Sequence, residues 1–236
     1  MLTNPDIHAR FASLTTPTIA DACVRRGIAF FAAPSTVRPV IPGARCAGRA
    51  LPVTHFGSVD VFLEAMDQAK AGDVLVIDND NRQDEACIGD LTVIEAKTAG
   101  IAAVVLWGAH RDTAELLEIG LPVFTTGTMP VGPLGVRPRT SEPLAPCNFA
   151  GFAVTRDHIV FADADGVLFV PGADVEAVLS GAQTIATTER RQADRVRAGT
   201  TLRAQLQWDA YLAARTDRPG LTLREHLAAV GGAIEV

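Results

Sequence analysis

Between residues 46 and 125, short apolar runs alternate with segments in which apolar residues recur every three to four positions. Short apolar runs are typical of buried strands, and the three-to-four spacing is typical of amphipathic helices. The pattern predicts strands over residues 46–54, 74–77, 101–106 and 123–125, and helices over residues 59–70, 90–99 and 113–119. This alternation of strands and helices favours an α/β fold.

Further helices and strands are predicted on both sides of this region. Helices are expected over residues 4–14, 18–27, 173–197 and 202–214, and strands over residues 149–154, 159–162 and 167–170. The expected N-caps are Thr3 or Asn4, Thr18 and Ser58. Loops are expected over residues 28–43, 78–87 and 127–146. The late run of strands indicates a mixed sheet. We therefore predict one α/β domain over residues 1–200 and a C-terminal helical extension over residues 201–236.

The composition argues against several classes of protein. The chain has 236 residues, is 48% hydrophobic and carries a formal net charge of −6, so we expect an ample core and no nucleic-acid partner. The longest apolar run, residues 99–109, is shorter than the roughly 20 residues that span a membrane. No signal peptide is expected at the N-terminus. The four cysteines form no C-x-x-C pair, so we expect neither a zinc site nor disulfides, and a cytoplasmic location.

Arg111 and Asp112 are the most informative residues of the sequence. They stand where the apolar run over residues 101–106 gives way to the helix over residues 113–119, and in open α/β sheets ligands bind at the carboxyl ends of strands. Arginine presents a fork that matches a carboxylate, and aspartate is a hard oxygen ligand for Mg²⁺ or Mn²⁺. The alternative is structural, with Asp112 as an N-cap and Glu115 completing a capping box.

Gly89, Asp90, Leu91 and Thr92 form a second candidate. Glycine permits close approach of the backbone, and the N–H groups that open a helix can bind a carboxylate. Asp90 could instead serve only as an N-cap. His110 is a third candidate because it could carry a proton, although a histidine at a strand end more often has a packing or hydrogen-bonding role.

Several catalytic signatures are absent from the sequence. There is no phosphate-binding loop, no dinucleotide fingerprint and no nucleophile elbow. The two lysines, Lys70 and Lys97, both lie in the last turn of a predicted helix, where the helix dipole favours the charged amine. Schiff-base chemistry, which needs a lysine of depressed pKa, is therefore disfavoured.

Taken in order, these segments resemble the RraA-like family, which includes regulator of ribonuclease activity A and divalent-metal 4-hydroxy-4-methyl-2-oxoglutarate aldolases. The resemblance is carried by residues 71–78, 89–91, 100–105, 108–112, 120–124 and 165–171. It implies a swivelling β/β/α sandwich, assembled as homotrimers or homohexamers with active sites between subunits. His110 and the long region from Thr201 onward depart from the family pattern.

The resemblance also implies roles for individual residues. Asp112 would bind Mg²⁺ or Mn²⁺, and Arg111 would bind the carboxylate of a keto acid. Asp90 would hold a water bound to the metal, and the backbone around Gly89, Leu91 and Thr92 would contact pyruvate. An acidic residue of a neighbouring subunit, with Glu189 preferred over Asp194, would complete the metal site.

The implied activity is that of a metal-dependent lyase. It would cleave 4-hydroxy-2-keto diacids by a retro-aldol reaction, decarboxylate oxaloacetate, or do both, releasing pyruvate, with His110 as an auxiliary proton carrier. The alternative is a non-catalytic protein that regulates a ribonuclease by binding it, since one fold can serve either role.

Overall fold

The computed structural model describes residues 2–139, 142–144 and 146–230. Parts of the predicted loop over residues 127–146 and of the extension over residues 201–236 therefore lie outside the described residues. In chain order, the helices are α1 (Asn4–Phe11), α2 (Thr16–Arg26), α3 (Asp60–Asp67), α4 (Asp90–Thr98), α5 (Thr113–Ile119), α6 (Val175–Arg197), α7 (Leu202–Gln205), α8 (Trp208–Asp217) and α9 (Leu223–Ala229).

Thirteen strands lie within the described part of the chain. They are β1 (Phe31–Ala32), β2 (Arg38–Pro39), β3 (Cys46–Thr54), β4 (Val74–Asp78), β5 (Ala86–Ile88), β6 (Ala103–Trp107), β7 (Ala109–His110), β8 (Val123–Thr125), β9 (Gly127–Thr128), β10 (Cys147–Phe149), β11 (Phe152–Val154), β12 (His158–Asp163) and β13 (Gly166–Pro171).

The main sheet is mixed, as predicted. Its eight strands follow the order β1-β13-β12-β3-β4-β6-β8-β2. The central strands β3, β4, β6 and β8 are parallel, whereas β12, β13, β1 and β2 pair antiparallel with their neighbours. This sheet with its surrounding helices and C-terminal helices confirms the predicted α/β fold class.

The central strands are apolar throughout because both faces of the sheet are buried. In β4, Leu75 and Ile77 pack with α3, α4 and α5, whereas Val74 and Val76 pack on the other face, with Phe149 of the β10–β11 hairpin. This is the two-residue period of a strand with a core on each side. A third cluster lies between β12–β13 and the helices α1, α2 and α6.

A second, three-stranded sheet was not predicted from the sequence pattern. Strands β5, β7 and β9 are parallel to one another. Strand β7 follows β6 after Gly108, and β9 follows β8 after Thr126, so this small sheet begins where the central strands end. The Thr126 amide donates to the Gly108 carbonyl at 3.1 Å, and this bond joins the β6–β7 connection to the β8–β9 connection. The loop predicted over residues 78–87 overlaps the first two residues of β5, and the loop predicted over residues 127–146 contains β9.

Several predicted caps and boundaries are wrong. Helix α2 is capped by Thr15, with Thr18 as its capping-box partner, and α3 has no side-chain cap bond from Ser58 or from its N-cap residue Val59. The strand predicted over residues 149–154 is a hairpin. The helix predicted over residues 202–214 breaks at Gln207, whose φ is 52°.

Three other expectations can be compared with the described residues. The predicted cap of α1 is confirmed, because Thr3 and Asp6 form a capping box there. All four cysteines are free and buried. No helix in the described part of the chain is both long enough and apolar enough to cross a membrane. The domain boundary at residue 200 stays a prediction.

Candidate functional site

The small sheet brings the two candidate segments together at one edge. Ile88 of β5 pairs with His110 of β7, and the Arg111 amide donates to the Ile88 carbonyl at 3.0 Å. Gly89 and Arg111 therefore follow neighbouring parallel strands. The carboxyl end of β5 leads into α4, and that of β7 leads into α5. This is the strand-end location where α/β proteins bind ligands.

Asp112 does not cap α5 with its side chain, so the capping-box alternative is wrong. The residue occupies the N-cap position with a φ of 58°, but it accepts no cap hydrogen bond. Its Oδ2 lies 3.3 Å from Arg111 Nε and 3.4 Å from the Asp90 amide nitrogen. A left-handed conformation is uncommon for a residue other than glycine, although aspartate tolerates it. Its carboxylate is thereby turned toward Arg111 and the start of α4.

Position 89 requires glycine because a larger side chain has no room there, and not because of the backbone conformation. Its φ of −146° is open to any residue, but a Cβ atom there would lie 2.2 Å from Asp112 Oδ2. The same Cβ atom would lie 3.2 Å from both Cγ and Nε of Arg111. The group that approaches the Gly89 backbone this closely is the Asp112 carboxylate, and contact of Gly89 with a ligand stays a prediction.

Asp90 is the first residue of α4, and Gly89 is its N-cap, so the prediction of Asp90 as N-cap is wrong. Asp90 Oδ1 accepts a hydrogen bond from the Leu91 amide at 2.7 Å. The first two amides of α4 therefore both lie within reach of carboxylate oxygens, and Thr92 follows in the same turn. Backbone N–H groups at this end of a helix favour negative charge.

His110 is buried beneath the site. Its Nε2 lies 3.0 Å from Thr113 Oγ1, and its Nδ1 has no hydrogen-bond partner among the residues that the structure describes. Burial lowers the pKa of the imidazole because it disfavours the charged form. Because the ring is buried, it can exchange a proton with the site only through a neighbouring group that contacts it.

Glu189 and Asp194 lie elsewhere in the chain. Both are on α6, which packs against α2, and they line a groove with Ser13 and Leu14. Glu189 is exposed. Among the described residues, no group of three or more His, Cys, Asp or Glu side chains is placed to hold a metal ion. One chain by itself supplies two acidic residues here, Asp90 and Asp112, at the starts of α4 and α5.

A buried polar network, which the sequence did not reveal, lies beside the site. Glu85 lies in the segment predicted as a loop over residues 78–87, yet it is fully buried. Its Oε1 lies 3.2 Å from both Arg82 Nη1 and Arg137 Nη1. Arg137 Nη2 donates to the carbonyl of His55 at 2.9 Å and to Asn79 Oδ1 at 3.3 Å. The only sequence signal is the run of apolar residues directly after Glu85.

The chain is similar to known proteins over most of its length. The family model RraA-like (Aldolase/RraA) matches residues 16–169. A protein of Halalkalibacterium halodurans, provisionally named 4-hydroxy-4-methyl-2-oxoglutarate aldolase, is 30% identical over 80% of this chain and 85% of its own length. The 4-hydroxy-4-methyl-2-oxoglutarate aldolase of Thermus thermophilus is 29% identical over 54% of this chain and 77% of its own.

A solved structure shares the fold. Streptomyces coelicolor RraAS2, described as an unusual member of the RNase ES inhibitor RraA protein family, superposes with a TM-score of 0.68. The match covers 79% of this chain and 95% of that one at 22% identity. Together with the family match over most of the chain, this confirms the resemblance inferred from the sequence. The chain belongs to the RraA-like (Aldolase/RraA) family.

Proposed function

We propose that this protein is a divalent-metal-dependent lyase that acts on short 2-keto acids. Its substrates would be 4-hydroxy-2-keto diacids, cleaved by a retro-aldol reaction, or oxaloacetate, which is decarboxylated; either reaction releases pyruvate. Aldolase names among the relatives support a lyase function at modest identity. The observation that carries the proposal is Asp112, whose partly exposed carboxylate faces Arg111 and the start of α4 without capping a helix.

Arg111 would bind the carboxylate of the keto acid. Its side chain is 45% exposed, and Nε faces Asp112. A guanidinium can bind a carboxylate through two parallel hydrogen bonds. The amide of Thr92 at the start of α4 would add a donor to the same anion, and the Leu91 amide would add another once the substrate displaces Asp90 Oδ1. A small anionic acid is therefore held between two positively polarised groups.

The residues present fit Mg²⁺ or Mn²⁺. Asp112 Oδ2 lies 3.4 Å from the backbone amide nitrogen of Asp90, so two acidic residues stand together at the starts of α4 and α5, and hard oxygen atoms are the ligands that these ions prefer. When bound, the cation would act as a Lewis acid on the keto group. Glu189 of a neighbouring subunit, or Asp194, is the proposed source of a further carboxylate, in a homotrimer or homohexamer.

In the retro-aldol reaction the C3–C4 bond breaks, and its electron pair remains on the pyruvate fragment as an enolate. The 4-hydroxyl group loses its proton as the new carbonyl forms, and C3 later gains one. Arg111 stabilises the negative charge that develops on the pyruvate side. Asp90, half-buried at the first turn of α4, is the proposed group for orienting water in proton transfer, with His110 as the auxiliary carrier.

The direct test is pyruvate release, followed with lactate dehydrogenase and NADH. Oxaloacetate and 4-hydroxy-4-methyl-2-oxoglutarate would each be supplied with Mg²⁺, with Mn²⁺, and with excess chelator. We expect turnover with either metal and its loss with chelator, after subtraction of the metal-only rate for oxaloacetate. Absence of enzyme-dependent pyruvate with both substrates and both metals would refute the lyase and leave the ribonuclease-binding alternative.

A further inference from the structure

Residues 129–137, which we call the strap, cross the edge of the molecule beside Arg111. The strap is attached at both ends by backbone hydrogen bonds. The Met129 amide donates to the His110 carbonyl at 2.9 Å, and the Arg137 amide donates to the Phe56 carbonyl at 2.7 Å. The strap therefore runs from the end of β7 to the loop that follows β3.

The middle of the strap is held by the segment that contains Glu85. The Ala86 amide donates to the Val131 carbonyl at 2.7 Å, and Glu85 Oε2 accepts from the Leu134 amide at 2.8 Å. The other carboxylate oxygen faces Arg82 and Arg137. A fully buried carboxylate is tolerated only when it is paired and hydrogen-bonded, and removing its charge disturbs every partner. Glu85 thus fixes the strap at Leu134 and at Arg137.

The strap in turn contacts the arginine of the candidate site. A Cβ atom on Gly132 would lie 2.6 Å from Arg111 Nη1 and 3.5 Å from Arg111 Cζ. On the other side, Gly89 and Asp112 approach the same side chain at Cγ and Nε. The guanidinium of Arg111 therefore occupies a slot between two glycine backbones, and the strap forms one wall of that slot.

We propose that Glu85 is a positioning residue for Arg111, acting through the strap. It sets the place of the Gly132 backbone and therefore the place of the guanidinium that binds the substrate carboxylate. The effect on catalysis rests on the proposed lyase function, but the mechanical link between Glu85 and Arg111 does not. Loss of the link would weaken carboxylate binding more than it slows bond cleavage.

The test compares Glu85→Gln with Asp84→Asn. Asp84 is a matched control because it is exposed, lies next to Glu85 and pairs with the same Arg82. We expect Glu85→Gln to raise KM for oxaloacetate by roughly ten- to a hundredfold, the scale of a small misplacement, with kcat changed far less. Asp84→Asn should leave both near wild type. In an Arg111→Ala background, Glu85→Gln should add no further loss of kcat/KM, because the two changes act on one element.

A second variant and a second measurement separate positioning from stability. Gly132→Ala leaves Glu85 intact and crowds Arg111 directly, so it should raise KM with little change in Tm. The Arg111 Nε–H resonance, assigned by its loss in Arg111→Lys, should shift in Glu85→Gln and in Gly132→Ala but not in Asp84→Asn. An unshifted resonance in Glu85→Gln, or an equal loss of kcat/KM in the Arg111→Ala background, overturns the inference. Absence of turnover by the wild type instead overturns the proposed function.

Discussion

Gly89 lies so close to the Asp112 carboxylate that no residue larger than glycine fits at position 89. A methyl group at position 89 would lie 2.2 Å from Asp112 Oδ2, well inside any real contact distance. We therefore expect Gly89→Ala to displace the carboxylate and lower kcat/KM by roughly a hundredfold. Because φ at Gly89 is ordinary, Tm should change little.

The matched control for this prediction is Gly220→Ala, where φ is also open to alanine and the added methyl group meets no atom of the described residues within 4 Å. Steady-state kinetics and thermal unfolding of both variants check it. Near-normal kcat/KM in Gly89→Ala would show that the spacing between Gly89 and Asp112 does not matter for activity.

Asp112→Asn should abolish metal-dependent pyruvate release while the fold persists. The amide keeps the shape of the side chain but removes the charge that a divalent cation requires. The exposed Glu118, at the far end of α5, provides the control Glu118→Gln. Calorimetric titration with Mn²⁺ and circular dichroism would separate lost metal binding from lost structure. Retention of turnover in Asp112→Asn at saturating Mg²⁺ would contradict the site assignment.

Arg111→Ala should raise KM for keto acids far more than it lowers metal affinity. A charged hydrogen bond to a bound carboxylate contributes about 1.5–3 kcal/mol, so kcat/KM should fall by roughly ten- to a hundredfold or more. Arg111→Lys should recover only part of the loss because an ammonium cannot form the two-pronged contact. Arg25→Ala, an exposed arginine on α2, serves as the control. Equal losses in Arg111→Ala and Arg25→Ala would refute carboxylate binding by Arg111.

The sequence predicted those parts of the fold and site that depend on local pattern. Apolar runs identified β3, β4 and β8, and a glycine before an acidic residue identified the start of α4. The two-residue strands β7 and β9 could not be found, because so short a segment has no period. Strand β7 depends on pairing with β5, and β9 depends on pairing with β7. The polar residues around Glu85 predicted a loop, and the local sequence does not show that the distant Arg137 pairs with the buried Glu85 carboxylate.

The stability of the protein should fall as the pH drops below about 6.5 because of His55. Burial, the largest effect, lowers the pKa of His55 in the folded protein. In the window between this lowered pKa and the unfolded value near 6.5, the unfolded chain binds a proton that the folded chain does not. The free energy of unfolding therefore decreases as pH falls through that window, by at most about 1.4 kcal/mol per pH unit.

Urea unfolding of the wild type and of His55→Gln, between pH 5 and pH 8, measures this contribution. The difference in unfolding free energy between the two should shrink toward low pH and be constant above about pH 7. His8→Gln, at an exposed position on α1, controls for loss of any histidine. Parallel pH profiles for the wild type and His55→Gln would show that the lowered pKa does not contribute to stability.

The four thiols should be inert in the folded protein. Cys23, Cys46, Cys87 and Cys147 are all buried. Burial raises the pKa of Cys23 to about 11 and those of Cys46 and Cys147 to about 12, and it also raises the pKa of Cys87. Since the thiolate is the reactive form, Ellman's reagent at pH 8 should detect four thiols after unfolding in guanidinium and almost none before. A Thr200→Cys variant adds one exposed thiol as a positive control. Rapid labelling of a native cysteine in the wild type would mean that its surroundings open far more readily than their packing implies.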